Sequence, residues 1–178
     1  MRRRLGTYAR SQGGYTLVEV IIASAIGAVV LAGLTSVILT SYRAANIATS
    51  RVEASGQIRN FEFFAYDDFA RSGMPGVPGT CGLPPNPPCQ TQPLVLPGFQ
   101  ASNSATPVVQ PLQVTYAWDG VQFLDRQVGS SSLHAATDVS AFSWYLDPTN
   151  QDVVVTLTIT VQAFTEYQTF RFQPRLNP

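Results

Sequence analysis

The first third of the chain contains one long apolar run with a single charge. From Leu17 to Thr40 every side chain is uncharged and mostly apolar, except for Glu19. A helix of this length spans about 36 Å, which is enough to cross a hydrocarbon core of about 30 Å. The preceding segment, residues 2–13, is basic and polar, and such a flank tends to stay in the cytoplasm. The pattern therefore predicts a single membrane-spanning helix with the rest of the chain outside the cytoplasm.

A secretory signal peptide or a plain single-pass anchor would account for only part of this run. A signal peptide usually has an apolar core of about 7 to 15 residues, and this run is longer. A plain anchor accounts for the length but not for the carboxylate of Glu19, since an unpaired charge in a bilayer costs about 2.5 kcal/mol or more. We therefore expect Glu19 to have a partner.

After the apolar run the pattern becomes amphipathic without a break. No proline occurs between Tyr42 and Gly73, and apolar or small side chains recur at steps of three and four. This stripe consists of Ile47, Ala48, Val52, Ser55, Ile58, Phe61, Ala65 and Phe69. The stop signal is Ser72-Gly73, with Pro75 beyond it. We expect one helix over residues 15–72, of which 15–41 cross the membrane and 42–72 pack under a globular head.

Four phenylalanines stand near the end of this predicted helix. Their simplest role is packing in the core of the head, and we assign all four to it: Phe61, Phe63, Phe64 and Phe69.

Residues 73–111 are rich in Pro, Gly, Ser and Asn, which predicts a long loop with a short strand at Pro93–Leu96. Cys81 and Cys89 lie within it. No histidine or third cysteine stands at metal-ligand spacing, which disfavours zinc. In an oxidising compartment two such cysteines form a disulfide, the alternative being two free thiols.

The last part, residues 112–178, has the alternation and turn signals of an antiparallel sheet. Asp119-Gly120 is a two-residue hairpin signal, and residues 147–150 form a second turn. Along Asp152–Ala163 apolar residues alternate with threonines, so one face of this strand is buried. The other strands are expected at Gln113–Trp118, Val121–Val128, Val139–Leu146 and Tyr167–Phe172. The predicted fold is α+β, with a long N-terminal helix packed against an antiparallel sheet.

Charge sets a limit on partners. The formal net charge is zero, and four of the eleven basic residues precede Gly14, which leaves seven against eleven acids, or about −4, after it. Beyond Gly73 the only basic side chains are Arg126, Arg171 and Arg175. This distribution disfavours nucleic acid as a partner.

The residues around Glu19 resemble a known signal. Gly13-Gly14-Tyr15-Thr16-Leu17-Val18-Glu19 is similar to the class III signal of type IV prepilins, in which a basic leader ends in Gly and Glu stands fifth after the cut. Tyr15 departs from the commoner Phe or Met. The resemblance implies that a prepilin peptidase cuts between Gly14 and Tyr15 and methylates the new amine of Tyr15. Residues 1–14 would then be a removed leader, while the apolar helix is kept.

The same resemblance gives Glu19 a role. Its carboxylate would pair with the Tyr15 amine of a neighbouring subunit in a bundle of low dielectric constant, where such a pair fixes register rather than adding much stability. The implied partners are other pilins or pseudopilins, the peptidase and the bacterial inner membrane. The head would be periplasmic until the subunit enters a pilus or pseudopilus. No cofactor is implied.

Within this family the head looks like the J-type minor pseudopilins of type II secretion and the W-type minor pilins. The residues that carry this likeness are Tyr116-Ala117-Trp118-Asp119-Gly120 with Leu124-Asp125-Arg126-Gln127-Val128, followed by Val139-Ser140-Ala141-Phe142-Ser143-Trp144-Tyr145.

Catalysis and metal binding receive little support. His134 is the only histidine, and its neighbours Ser131 and Ser132 lie too close in sequence, on an expected loop, for a preorganised triad. Two acidic pairs, Asp67-Asp68 and Asp147 with Asp152, offer oxygen ligands for calcium. The simpler interpretation is a solvated helix end and a turn, with no metal site and no enzymatic activity. The aromatics Tyr116, Trp118, Trp144 and Tyr145 are mostly expected in the core, with some free for partner contact.

Two functions from different classes follow. The first is a structural one: a minor pilin or pseudopilin that assembles through its helix, in an initiating or tip complex. The second is a binding subunit whose head or Pro-rich loop contacts DNA, a surface or an exported substrate. A third, plainer hypothesis is an anchored periplasmic protein with a leader-like N-terminus.

Overall fold

The computed structural model describes residues 14–99 and 112–174. It divides into two compact units, Met1–Ala45 and Asn46–Pro178. Most of the predicted leader (1–13), the end of the predicted loop (100–111) and residues 175–178 lie outside the described residues.

One helix, α1 (Leu17–Arg71), accounts for the first part of the chain. It begins after Thr16, whose hydroxyl accepts a hydrogen bond from the Glu19 amide at 3.3 Å. Arg71 in its last turn pairs with Asp67 at 2.6 Å. A basic side chain in the last turn interacts favourably with the negative end of the helix dipole. The helix is thus slightly shorter than the 15–72 expected from the sequence.

In the second unit one face of α1 is buried. That face consists of Ser50, Ala54, Ile58, Phe61, Ala65, Asp68 and Phe69. The predicted stripe is confirmed from Ile58 onward, but it was wrong at Ile47 and Val52, which are exposed, while Ser55 is half-buried. The assignment of every phenylalanine to the core was also wrong for Phe63, which is 75% exposed.

In residues 72–99 and 112–174, which the structure describes, seven strands follow and form two antiparallel sheets rather than one. The first sheet has the order β1-β2-β3-β4 and contains β1 (Leu94–Phe99), β2 (Leu112–Trp118), β3 (Leu124–Val128) and β4 (Ser131–Ala136). The second sheet has the order β5-β6-β7 and contains β5 (Val139–Asp147), β6 (Asp152–Val161) and β7 (Phe164–Phe172).

Three strand predictions needed correction. β1 runs further than the expected Pro93–Leu96, and β7 begins at Phe164 rather than at Tyr167. Strand β4 was predicted as a loop, because SSSLHAATD has few apolar residues.

The turn between β2 and β3 also differs from prediction. It spans residues 119–123 instead of two residues, because the Asp119 carboxylate accepts hydrogen bonds from the amides of Val121, Gln122 and Phe123 at 2.8–2.9 Å. These bonds hold the pKa of Asp119 below its usual value. Gly120 has φ +82°, a left-handed conformation that favours glycine.

Both sheets pack on the second half of α1. The Phe61 ring lies 5.5 Å from the ring of Tyr116 on β2 and 5.4 Å from that of Phe170 on β7. Along β6 the predicted alternation is confirmed: Val153, Val155, Leu157, Ile159 and Val161 are all buried. A long apolar N-terminal helix against antiparallel sheets is an α+β, pilin-like fold.

Candidate functional site

The predicted cleavage bond, Gly14–Tyr15, precedes the helix in an exposed, non-helical segment. A side chain at Gly14 would meet nothing within 4 Å, and the residue has no left-handed φ. Within the described residues, therefore, neither a contact nor the backbone conformation requires glycine at position 14.

Thr16 fixes where α1 begins. Its hydroxyl accepts from the Glu19 amide, and its carbonyl accepts from the Val20 amide at 3.3 Å. This is an N-cap, and Thr-x-x-Glu is the sequence pattern of a capping box. The spacing of Thr16 and Glu19 was the signal that could have located this cap from the sequence. The cap places Glu19 in the first turn of α1.

Glu19 is exposed, and no ion pair joins it to another residue in the described ranges 14–99 and 112–174. An acidic side chain in the first turn interacts favourably with the positive end of the helix dipole. In a membrane or a helix bundle, however, an exposed carboxylate needs a cationic partner.

The large apolar side chains of residues 17–45 are exposed. Tyr15 is 83% exposed and Leu17 79% exposed, and the most apolar window has a mean hydropathy of 2.4 with no part buried. By length and composition α1 can cross a membrane. The first unit therefore presents an apolar surface that its own chain does not cover in the described residues.

The match of this segment to known proteins is confined to the N-terminus. Residues 9–35 match the family model described as the prokaryotic N-terminal methylation motif. This match supports a class III signal of the type IV pilin and pseudopilin kind, a structural rather than catalytic class. It implies processing by a prepilin peptidase and assembly with other pilins. No curated protein and no solved structure matches the chain.

A buried charged cluster joins the end of α1 to the first sheet. The Asp68 carboxylate accepts two hydrogen bonds from the Arg126 guanidinium, at 2.6 Å from Nε and 2.5 Å from Nη2. The Tyr116 hydroxyl donates a third, at 2.5 Å. Asp68 and Tyr116 are fully buried, and the Phe64 ring lies 5.4 Å from the Arg126 guanidinium carbon.

This cluster corrects the view of Asp68 as a solvated helix end or a calcium ligand. It also explains why Tyr116 and Arg126 occur together in the β2–β3 hairpin. Burial, together with the negative charge of Asp68, raises the pKa of Tyr116 well above its usual value. The hydrogen bonds to Asp68 raise the pKa of Arg126. Both groups therefore hold their protons as a structural clamp.

The remaining chemical candidates do not converge. His134 pairs with Asp125 at 2.6 Å and stacks on Phe123, so its ring is engaged by these two groups rather than by a serine. Asp147 and Asp152 both face Arg171, at 3.1 Å and 3.8 Å. In the part of the chain that the structure describes, no three His, Cys, Asp or Glu residues group as metal ligands.

Cys81 and Cys89 form the expected disulfide. The loop that they close lies against β5, because Cys89 and Trp144 exchange two backbone hydrogen bonds at 2.8 and 2.9 Å. Between the cysteines, residues 83–88 are all exposed. Of the four aromatics singled out in the sequence, Tyr116 and Trp144 are buried, whereas Trp118 and Tyr145 are half-buried. The bonds at Trp144 thus turn the loop into an addition to the second sheet.

Proposed function

We propose that the chain is a minor pilin or pseudopilin that assembles through α1 into a type IV pilus or a type II secretion pseudopilus, in the initiating or tip complex. The observation that carries this proposal is the methylation motif at residues 9–35 leading into a helix whose apolar surface is exposed. Such a surface needs a bilayer or the helices of neighbouring subunits around it. The long loop and the J- or W-like hairpin support a minor role.

In this proposal the chain is first held in the bacterial inner membrane, with residues 15–41 across the bilayer and the head, residues 112–178, in the periplasm. The peptidase removes residues 1–14 on the cytoplasmic side and methylates the amine of Tyr15. The exposed, non-helical Gly14–Tyr15 bond supports cleavage at this position.

Cleavage creates a cationic amine at Tyr15 beside the start of α1. Because that end of a helix is already positive, the new amine is unfavourable there unless an anion lies near it. Glu19 supplies one from the first turn, and across a subunit interface it would pair with the Tyr15 amine of a neighbour. This pairing fixes the axial position of one helix against the next.

The experiment separates processing from packing. The chain is expressed with its sibling pilins as wild type, Gly14→Val and Glu19→Ala, and intact mass and N-terminal sequencing are measured. Wild type and Glu19→Ala should begin at a methylated Tyr15, and Gly14→Val should keep its leader. Glu19→Ala should stay in the membrane but fail to co-purify with siblings, because an unpaired buried amine costs about 3–5 kcal/mol.

Two results would refute the proposal. A mature chain that begins near Ala25 would indicate ordinary signal-peptide cleavage. Wild-type recovery of siblings with Glu19→Ala would show that the charge pairing is not used by this subunit.

A second candidate is a binding subunit of the same filament, and the disulfide loop favours it. Its exposed residues 83–88 carry no charge and are held at both ends, with the Gly82 amide donating to the Pro87 carbonyl at 2.8 Å. A preformed apolar tip suits contact with a surface or an exported substrate better than with DNA. Deletion of residues 83–88 should then abolish substrate or surface binding while assembly persists.

A further inference from the structure

The outer strands of the two sheets differ in whether the backbone groups at their free edges are hydrogen-bonded. A strand at the edge of a sheet presents unpaired N–H and C=O groups, which can pair with another chain unless they are covered. In this molecule the edges belong to β1, β4, β5 and β7.

Three of these edges are engaged by the chain itself. At β1 the Pro97 carbonyl accepts from the Gly73 amide at 2.7 Å. At the end of β4, Asn60 donates to the Ala135 carbonyl at 2.9 Å, and just beyond the strand the Thr137 amide donates to the Gln57 side-chain oxygen at 3.0 Å.

At β5 the disulfide loop supplies the cover. Besides the two bonds between Cys89 and Trp144, the Leu146 amide donates to the Gly82 carbonyl at 2.7 Å. The loop therefore pairs with β5 much as another strand would.

The fourth edge, that of β7, is different. Within residues 14–99 and 112–174, the backbone of β7 is hydrogen-bonded only to β6. The strand has nine residues and contains no proline, and Glu166 and Arg171 are its only charges. It has neither the bulge nor the lysines that usually protect a long edge.

A groove of about 690 Å³ lies between the C-terminal half of β7 and the end of α1. Its α1 side is lined by Glu62, Tyr66 and Ala70, and its sheet side includes Asp152 and Arg171. Tyr66 is 74% exposed, so the α1 side of the groove presents an aromatic ring that is not packed in the core of the head.

The chemistry of Asp152 limits what fits there. The residue is buried, and its Oδ1 atom has no hydrogen-bond partner among the described residues. Arg171 lies 3.8 Å from the other oxygen, Oδ2, and is also bonded to Asp147. With Glu62 on the opposite wall, the groove contains more acid than base and favours a cationic group.

We propose that β7 is a strand-addition site for an extended segment of a neighbouring pilin-like subunit, with a Lys or Arg side chain of that segment reaching Asp152. An extended peptide is the ligand that a free strand edge selects, since its backbone completes the ladder while alternate side chains enter the groove. This contact is separate from helix packing and adds a second, head-to-head link between subunits. Because the neighbours are tethered in one membrane, even a weak strand contact is occupied.

Hydrogen exchange of the full chain tests the proposal. Exchange is compared between the chain alone in detergent micelles and the same chain in filaments purified from cells. The β7 amides that point away from β6 should exchange at least about tenfold more slowly in the filament, because they gain hydrogen bonds. Residues 17–45 report helix packing independently in the same data.

The two readouts separate this proposal from the proposed function. Protection of residues 17–45 without any change in β7 would overturn strand addition and leave helix assembly intact. Protection of β7 in the isolated chain would show that the chain covers its own edge, which also overturns the proposal. If neither region changes, both proposals fail.

A photo-cross-linker identifies the occupant. Benzoylphenylalanine replaces Tyr167 on β7 or, as a control of similar exposure, Val121 in the β2–β3 turn. At position 167 we expect an adduct to an extended segment of a sibling subunit that contains Lys or Arg. An adduct to a second copy of this chain, or a sibling peptide with no basic residue, would contradict the proposed occupant. Adducts of equal yield from position 121 would show that position 167 marks no specific contact.

Discussion

Residues 17–45 and 46–71 belong to one uninterrupted helix, and their apolar side chains meet different surroundings. In residues 46–71 one face packs against both sheets, with Phe61 and Phe69 fully buried. In residues 17–45 the large apolar side chains are exposed around the whole helix. Because exposed apolar surface on this scale is unfavourable in water, residues 17–45 favour a bilayer or other helices around them, whereas residues 46–71 bury one face against the two sheets of the same chain.

The largest effect is expected from the buried charge at the end of the second half. Asp68→Ala leaves Arg126 and the Tyr116 hydroxyl without their partner, so the free energy of unfolding should fall by about 3–5 kcal/mol. Urea unfolding of the full chain in detergent micelles measures it. Trp118 and Trp144, the two tryptophans, both lie in the second unit, so their fluorescence reports that unit.

The neighbouring acid is the control. Asp67 is exposed and pairs with Arg71 on the helix surface, so Asp67→Ala should cost about 0.5 kcal/mol or less. Equal losses for the two variants would mean that the Asp68 cluster does not hold α1 to the sheet.

The second prediction compares side chains along the helix. Phe61→Ala removes a ring that contacts both sheets and should lower the free energy of unfolding by about 3–4 kcal/mol, whereas Phe63→Ala should change it by about 0.5 kcal/mol or less. Ile26→Ala, in the first half, should leave unfolding unchanged and act only on co-purification with siblings. A shift in the urea midpoint for Ile26→Ala would show that the first half contributes to folding of the head.

The third prediction concerns the disulfide. Replacing both cysteines by serine opens a short ring whose Cys89 end pairs with β5, so the free energy of unfolding should fall by about 2–3 kcal/mol. Membrane fractionation should not change, because the first half is untouched. Non-reducing peptide mapping of protein from the cell envelope checks the bond itself, and two alkylatable thiols there would contradict it.

The smallest effect is a pH dependence. The pKa of Tyr116 is raised in the folded chain above its ordinary value of 10.0. The contribution of Tyr116 to the free energy of unfolding is therefore complete below pH 10. Above pH 10 the unfolded chain loses a proton that the folded chain keeps, so this contribution declines by about 1.4 kcal/mol per pH unit. Urea unfolding of wild type and Tyr116→Phe at about pH 9 and pH 11 measures it. The stability difference between the two should narrow at the higher pH, and a constant difference would be evidence against a protonated Tyr116.

The sequence was most informative where one periodicity dominated. The apolar run predicted α1, and the alternation from Val153 to Val161 predicted a strand with one buried face. Both signals can be recognised within one stretch of sequence, because each arises from a single helix or strand in contact with one apolar environment. The early helix stripe failed at Ile47 and Val52, since which face meets the sheets depends on the tertiary arrangement.

The candidate sites show the same division. Gly14, Tyr15 and Glu19 were selected by their fixed spacing before the apolar run, and their roles remain proposals. The sequence around Asp68 gives no sign that this carboxylate is buried while that of its neighbour Asp67 is exposed. The prediction for Asp68 was therefore wrong, because its partners lie 48 and 58 residues away in the sequence. Strand β4 was missed because Ala135 and Ala136 fill its buried positions and give little apolar signal.

The contacts between α1 and the sheets have a mechanical consequence. Ser50 bonds to Gln162, Ser55 bonds to Glu166, Phe61 packs on both sheets and Asp68 binds Arg126, so the attachments are distributed along the second half of the helix. Tension applied to the N-terminal end of α1 would load these attachments in parallel, as shear, rather than peel them away one at a time. Detachment under force is governed by the unfolding rate, and under this loading the attachments, the Asp68 clamp included, would have to break together.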